Sequence, residues 1–325
     1  MNIKKYLSVI LIMASSVFYY SCDDSGLIPQ ERTAGIIALS QILKLPTLDP
    51  PNDGFYCLWI LLNDTSGAPR ILNLGTFNVL PNGSAVDING EPITFTMIPA
   101  DTVDLARAVY SVITIQKGQF VTPSNTVILG GPFTVTNDSV SAQLRFNDPL
   151  ALGTAGDTLI ARRHRGYMIN TPSNSGVNCE KGIWFTTPSG ESTLPDVQLN
   201  SGGGWQFRGW LRNKITNETF STGAFFDPRA ADLDGAGPCS GSEQGYNAPG
   251  QDWVQPGCAN IINIFDGNHE VFIVLEPKDR TDALPPFNLK LYWQSLIFST
   301  LGCNRFDNLF SQSELLPRAR VMITR

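Results

Sequence analysis

Charge is scarce in this chain. Charged residues make up 16% of its 325 residues, against roughly a quarter in an average soluble domain. The 23 Lys and Arg are outnumbered by 29 Asp and Glu, for a formal net charge of -6. The basic footprint that nucleic-acid binding needs is therefore missing. Only two histidines occur, His164 and His269. That is too few for a multi-histidine metal centre, and it leaves two residues that could act as the base in Ser-His or Cys-His chemistry. There is no CxxC spacing for zinc and no nucleophile-elbow motif. Nothing in the spacing of the loop carboxylates Glu276, Asp279 and Asp282 marks an acid–base pair. These absences read together as a non-catalytic protein. Apolar content is ordinary at 42%, which excludes a disordered chain or a coiled coil. The 29 glycines and 22 prolines favour a turn-rich fold over a helical one.

The one long apolar run is N-terminal. Lys4 and Lys5 precede an apolar stretch from Leu7 to Tyr20, too short and too close to the terminus for a spanning helix, so residues 1–21 read as a signal peptide. The stretch ends in Tyr20-Ser21-Cys22, which resembles a bacterial lipobox. That resemblance implies lipidation of Cys22 and a tether over residues 22–34. Acyl chains hold a protein on a membrane by about 0.8 kcal/mol per buried CH₂, an anchor that an acidic chain on an anionic surface requires. Asp23 and Asp24 resemble the surface-export signal of Bacteroidota lipoproteins; a solvated tether is the alternative. The expected location is a Gram-negative envelope, lipid-anchored to the outer membrane and facing either the periplasm or the cell surface.

Five further cysteines remain. Cys57 lies in the apolar run Phe55–Leu62 and reads as a small core residue. Cys179, Cys239, Cys258 and Cys303 lie in polar or Gly-rich contexts suited to disulfides in an oxidising compartment. Cys239–Cys258 and Cys179–Cys303 is the preferred of three connectivities.

From residue 35 onward, apolar runs of four to eight residues recur between turn signals such as Pro81-Asn82-Gly83 and Asn89-Gly90. Asp101–Val109 and Asp307–Leu315 are the only candidate short helices, and Thr158–Ile169 reads as strand. An internal repeat organises the rest. Tyr56-Cys57-Leu58-Trp59, Leu74-Gly75-Thr76-Phe77, Val112-Ile113-Thr114-Ile115-Gln116 and Pro123-Ser124 match Phe207-Arg208-Gly209-Trp210, Thr222-Gly223-Ala224-Phe225, Phe272-Ile273-Val274-Leu275-Glu276 and Pro285-Pro286. The expected fold is all-β: two Ig-like, Greek-key β-sandwiches in tandem, over 35–150 and 151–325. The second carries an Asp/Gly-rich insertion at 227–258.

These motifs resemble the extracytoplasmic domain of anti-sigma-K factors, and lipoproteins with paired copies of it. Leu105-Ala106-Arg107-Ala108 and Gly182-Ile183-Trp184-Phe185 fit the same pattern. Gln116 stands where the family has an acidic residue. The resemblance implies a domain type, not anti-sigma activity.

Trp59 and Trp210 occupy equivalent repeat positions and read as core fillers. Trp205 is the candidate ligand contact. Asp227, Asp232 and Asp234 before Gly235 resemble part of a Ca²⁺ loop; turn formation is the competing reading. The basic run Arg162-Arg163-His164-Arg165 reads as a guarded strand edge. The expected function is presentation of a rigid β-surface to an envelope or extracellular protein, with 227–258 as contact region. A glycan-binding adhesion module and an envelope signalling accessory are the alternatives.

Overall fold

Strands dominate the chain, and long-range antiparallel pairing holds them. The computed structural model describes residues 36–324 apart from 64–68, 94, 97–106, 119–120, 136–139, 162–163, 170–180, 188–190, 193–196, 241–244, 255–263, 265 and 297–304. Cys22, Asp23, Asp24, Cys179, Cys258 and Cys303 lie outside the described residues. Residues Ala34–Arg325 form one contact unit, within which no helix of the described residues is long and apolar enough to cross a membrane.

The first half supplies β1 (Ile36–Leu43), β2 (Phe55–Asn63), β3 (Pro69–Val79), β4 (Ala85–Val86), β5 (Phe95–Thr96), β6 (Ala108–Gln116), β7 (Val127–Val135) and β8 (Val140–Arg145). The second supplies β9 (His164–Ile169), β10 (Gly182–Trp184), β11 (Trp205–Asn213), β12 (Thr219–Phe225), β13 (Gly250–Asp252), β14 (His269–Pro277), β15 (Lys290–Ser295), β16 (Arg305–Ser311) and β17 (Arg318–Thr324). Among the described residues there are two short helices, α1 (Pro50–Asp53) and α2 (Gly153–Ala161), and a 3-10 turn at Ser313–Leu315. Two sequence expectations change here. Asp307 to Ser311 is strand, because Leu309 is fully buried while its neighbour Phe310 is exposed, the alternation of a sheet. Residues Thr158–Ala161 belong to α2, whose Thr158 hydroxyl donates back to the Thr154 carbonyl at 3.0 Å.

The strands form two antiparallel sheets, β4-β3-β2-β6-β7-β8-β17-β1-β5 and β12-β11-β14-β15-β16-β9-β10-β13. Neither half divides into two facing sheets as an Ig-like sandwich would. In the first sheet, Val86 bridges to Pro92 and the Ile93 amide donates to the Ala85 carbonyl at 3.3 Å. The chain then runs on into β5, which pairs with β1. One short hairpin thus all but closes the sheet, which removes exposed strand edges. In the second sheet the segment Asp232–Ala236 fills the matching place. Leu233 donates to Ala224 of β12 at 2.8 Å, and Asp252 of β13 donates to Ala236 at 3.1 Å.

Side-chain alternation decides what lies inside. On β2, Tyr56, Leu58, Ile60 and Leu62 face one shared core, joined by Phe207, Leu211, Val271, Ile273 and Leu275 of the second sheet. Each such residue contributes about 1.5–3 kcal/mol by leaving water. Trp59 and Trp210 are both 1% exposed, but they lie on the opposite face; Trp210 belongs to a small cluster with Phe272 and Val274. Cys57 shares that outer face. It is a free, buried thiol whose pKa burial pushes up to about 12.

The two halves agree pair by pair. Tyr56 opposite Phe77 corresponds to Phe207 opposite Phe225, with ring centroids 5.3 and 5.4 Å apart and the same 32° interplanar angle. Trp59 opposite Val112 corresponds to Trp210 opposite Phe272. A bulge interrupts β2–β3 after Leu58 and β11–β12 after Arg208. Gly75 and Gly223 sit there with φ of 134° and 93°, a backbone region that side chains rarely adopt. At Gly75 an added Cβ would meet only the Phe95 ring at 3.6 Å, whereas at Gly223 it would strike the Asp232 carboxyl at 2.4 Å. Gly75→Ala should therefore cost about 1–3 kcal/mol of strain and Gly223→Ala distinctly more, read by urea unfolding. Equal costs would show that φ alone matters.

Candidate functional site

The repeat supplies an internal comparison. Positions that the two copies share serve the fold; positions that differ show what the second copy adds. One row across the outer face of the first sheet reads Asn73, Trp59, Val112, Gly130, Arg145. The corresponding row of the second sheet reads Ser221, Trp210, Phe272, Trp293, Phe310. Four aromatic side chains thus stand side by side on β11, β14, β15 and β16.

The row grades from buried to open. Trp210 and Phe272 are buried, Trp293 is half-buried and Phe310 is 41% exposed. Of the chain's six tryptophans, Trp293 alone is not buried. Its indole N–H donates to Glu270 Oε2 at 2.9 Å, which fixes the ring plane. Glu270 also pairs with Arg212 and, at 3.7 Å, with Lys290. Both cations lie over the Phe272 ring, Lys290 Nζ at 4.3 Å and the Arg212 guanidinium at 5.7 Å from its centroid. Such contacts are worth about 0.5–2 kcal/mol each. Burial holds the Lys290 pKa below the usual lysine range, the nearby Arg212 charge adds to that, and Glu270 opposes it. Two residues beyond Trp293 on β15, Ser295 Oγ accepts from Lys214 Nζ at 2.9 Å.

Beside this row the second copy carries buried charge. Where the first has Cys57 and Gln116, the second has Arg208 and Glu276. Arg208 Nε donates to Glu276 Oε1 at 2.6 Å, and Gln206 Nε2 donates to the same oxygen at 2.9 Å. Burial raises the Glu276 pKa, and Arg208 opposes that rise. Arg280 lies 3.6 Å from Glu276 Oε2 and pairs with Asp53 of α1, and Arg208 also reaches Asp282. A buried pair adds little net stability but is costly to break, so the two partners have to change together. One exchange leaves a gap. Trp59 Nε1 donates to Thr114 Oγ1 at 2.9 Å, but the equivalent of Thr114 is Val274, and the buried Trp210 Nε1 has no hydrogen-bond partner among the described residues.

The residues singled out in the sequence fall elsewhere. Trp205 is 4% exposed, packs in the shared core, and donates its indole N–H to the Val127 carbonyl at 3.0 Å. It joins the second sheet to the first and is not available as a contact surface. Asp227 is taken by Arg229 at 3.0 Å. Asp232 and Asp234 do meet beside Gly223, but Asp232 accepts the Gly250 amide at 2.8 Å and so pins the closing segment to β13. Burial pushes the Asp232 pKa up to about 9, with Asp234 adding to it, so the group is neutral at pH 7. The three aspartates are not brought together as a Ca²⁺ set, and among the described residues no cluster of three or more His, Cys, Asp or Glu could hold a metal. Cys239 packs partly against the core and is not a free thiol. His269 is buried with Nδ1 2.9 Å from Asp266 Oδ1.

Two substitutions test these assignments. Val274→Thr restores the hydroxyl that Thr114 offers Trp59 and should stabilise the protein by about 1 kcal/mol, raising Tm by a few degrees; an unchanged or lower Tm would mean that Trp210 loses nothing by lacking a partner. For Asp232, the folded pKa of about 9 exceeds the ordinary aspartate value of 3.8. The folded state therefore binds the extra proton between those values, and stability falls as pH rises through that window. Asp232→Asn keeps an acceptor for Gly250 without the titration. Calorimetry from pH 5 to 8 should show a flatter Tm profile than the parent's, and parallel profiles would refute a neutral Asp232.

No family model, curated protein or solved structure matches the chain, so the meaning of the site rests on its geometry and on the comparison between the two copies.

Proposed function

We propose that this is a non-catalytic envelope protein, lipid-anchored through Cys22, whose paired β-repeats present a rigid surface to another envelope or extracellular component. The contact face in this reading is the open end of the aromatic row, Trp293 and Phe310, framed by Arg212, Lys214 and Lys290. One observation carries the choice: the first copy has Gly130 and Arg145 at the positions where the second has the half-buried Trp293 and the exposed Phe310. Neither copy needs an exposed ring there to fold. Exposed aromatics beside cations are what binding hot spots are made of. The insertion 227–258 recedes as the contact region, because its residues from Ala248 to Trp253 are buried in closing the second sheet.

A glycan is the second reading, favoured by the orientation of Trp293. An indole locked in plane by a carboxylate, with charged and hydroxyl groups alongside, offers a sugar ring both a stacking face and hydrogen-bond partners.

A photo-reactive amino acid placed at 310 in the full-length protein, on intact cells, tests the contact face. An adduct is expected at 310 and not at the equivalent position 145. Adducts at both positions, or at 145 alone, would overturn the choice of face. Sensitivity of the adduct to protease marks a protein partner, and sensitivity to glycosidase a glycan. Trp293→Phe together with Phe310→Ser should reduce capture at least tenfold while leaving the circular dichroism spectrum unchanged.

A further inference from the structure

The pair-by-pair equivalence extends round both sheets, and at one strand it crosses between them. Moving outward from β2 and β11, the strands correspond as β6 to β14, β7 to β15 and β8 to β16. At the other edge β1 corresponds to β10, and β5 to β13. Ile37 opposite Phe95 matches Ile183 opposite Gln251. Between β8 and β1 lies β17, and between β16 and β10 lies β9. These two strands are themselves equivalent. Leu144 opposite Ala319 matches Leu309 opposite Arg165, and Val140 opposite Ile323 matches Arg305 opposite Ile169. On the other side, Ala38 opposite Met322 matches Trp184 opposite Met168. At the equivalent places both strands carry Met-Ile, Met168-Ile169 and Met322-Ile323.

Counted by this equivalence the repeats run from β1 to β9 and from β10 to β17, with the boundary after β9 and not at 150/151, so each strand is the last of its own repeat yet sits in the other repeat's sheet. β9 follows β8 in the chain but pairs with β16; β17 follows β16 but pairs with β8. We infer that the two repeats exchange their final strands reciprocally within one chain. The slot between β8 and β1 is thus a strand-binding site whose occupant is β17 of the second repeat, and the slot between β16 and β10 takes β9 of the first. The two connections that make the exchange, α2 and the 3-10 turn Ser313–Leu315, pack against each other. The fit of β17 is set by alternation: Ala319, Val321 and Ile323 are buried, while Arg318 is exposed and Arg320 and Met322 are half-buried on the outer face.

The exchange changes what it means to divide this chain. A plain tandem pair would have Met322 opposite Phe306 and Met168 opposite Ser141, because each final strand would fold back on its own hairpin. The exchanged pair has Met322 opposite Ser141 and Met168 opposite Phe306. A cut after β9 would therefore leave neither product with a complete sheet of its own.

Cysteine pairs read the two arrangements directly. In the full-length protein, Ser141→Cys with Met322→Cys should oxidise to an intramolecular disulfide in near-complete yield under mild oxidation, assigned by peptide mapping. Phe306→Cys with Met322→Cys should give none. The opposite result would overturn the exchange, and so would a 141–322 linkage found only in covalent dimers, which would place the donated strand in a second copy. On the unmodified protein, interstrand NMR contacts from Met322 to Ser141 rather than to Phe306 are expected; contacts to Phe306 would refute the inference without any substitution.

Discussion

The fold depends on the backbone ladder that β17 makes with β8 on one side and β1 on the other. Without it the first sheet would present two open edges, each a row of unpaired amides and carbonyls. A local hairpin would satisfy β8 more cheaply, since loop-closure entropy favours near neighbours. The strand that fills the slot comes instead from the far end of the chain. Forming that ladder therefore requires the whole second half to be in place, and β9 imposes the reciprocal condition on the second sheet. The result is a unit in which neither repeat can complete its hydrogen bonding alone. Trp205 bonding to Val127 and Arg280 pairing with Asp53 reinforce the same junction from other directions.

Duplication makes the chemistry of the outer face readable. Where the copies agree, the reason is backbone geometry: a bulge with a glycine at positive φ, and a tilted aromatic pair beneath it. Where they differ, the changes come in compatible groups. A thiol and an amide give way to Arg208 and Glu276, an ion pair that would be costly if either partner came alone. Val112, Gly130 and Arg145 give way to Phe272, Trp293 and Phe310, one neighbouring strand at a time. The Trp210 indole, which has lost the hydroxyl that Thr114 offers Trp59, is a place where the second copy pays for its new face without evident compensation.

Much of the fold was legible in the sequence, because alternation and turn residues act locally. The strands around Tyr56 to Trp59 and Phe207 to Trp210, the matching glycines and the buried thiol of Cys57 all follow from spacing. The exchange of β9 and β17 leaves no such trace: a strand's own pattern says which face is apolar, not which neighbour it will take. The candidate site was hidden for a more particular reason. Lys290 and Trp293 are an odd number of residues apart, which ordinarily places them on opposite faces. A bulge in β15 between the partners of Ile273 and Val274 restores them to one face. Trp205 is the ligand-contact candidate of the sequence, but alternation puts it with Phe207 in the core. Asp232 and Asp234 spell part of a cation loop in the sequence, whereas in the structure the first is a buried carboxyl that accepts the Gly250 amide and so pins the closing segment.

Rigidity connects this architecture to recognition. A planar ligand face loses least on binding when its side chains are already fixed. Trp293 is fixed by Glu270, Glu270 by Arg212 and Lys290, and both cations by the ring of Phe272 beneath them. Phe272 in turn stands on β14, a strand buried along its whole length and paired on both sides. Each step inward from the Trp293 ring leads to β14. Exposed aromatic surface is an aggregation hazard on an ordinary protein. Here the half-buried Trp293 and the exposed Phe310 stand on β15 and β16, beside a β14 whose every residue is buried, so the rings are held by a sheet that keeps the rest of the row out of water.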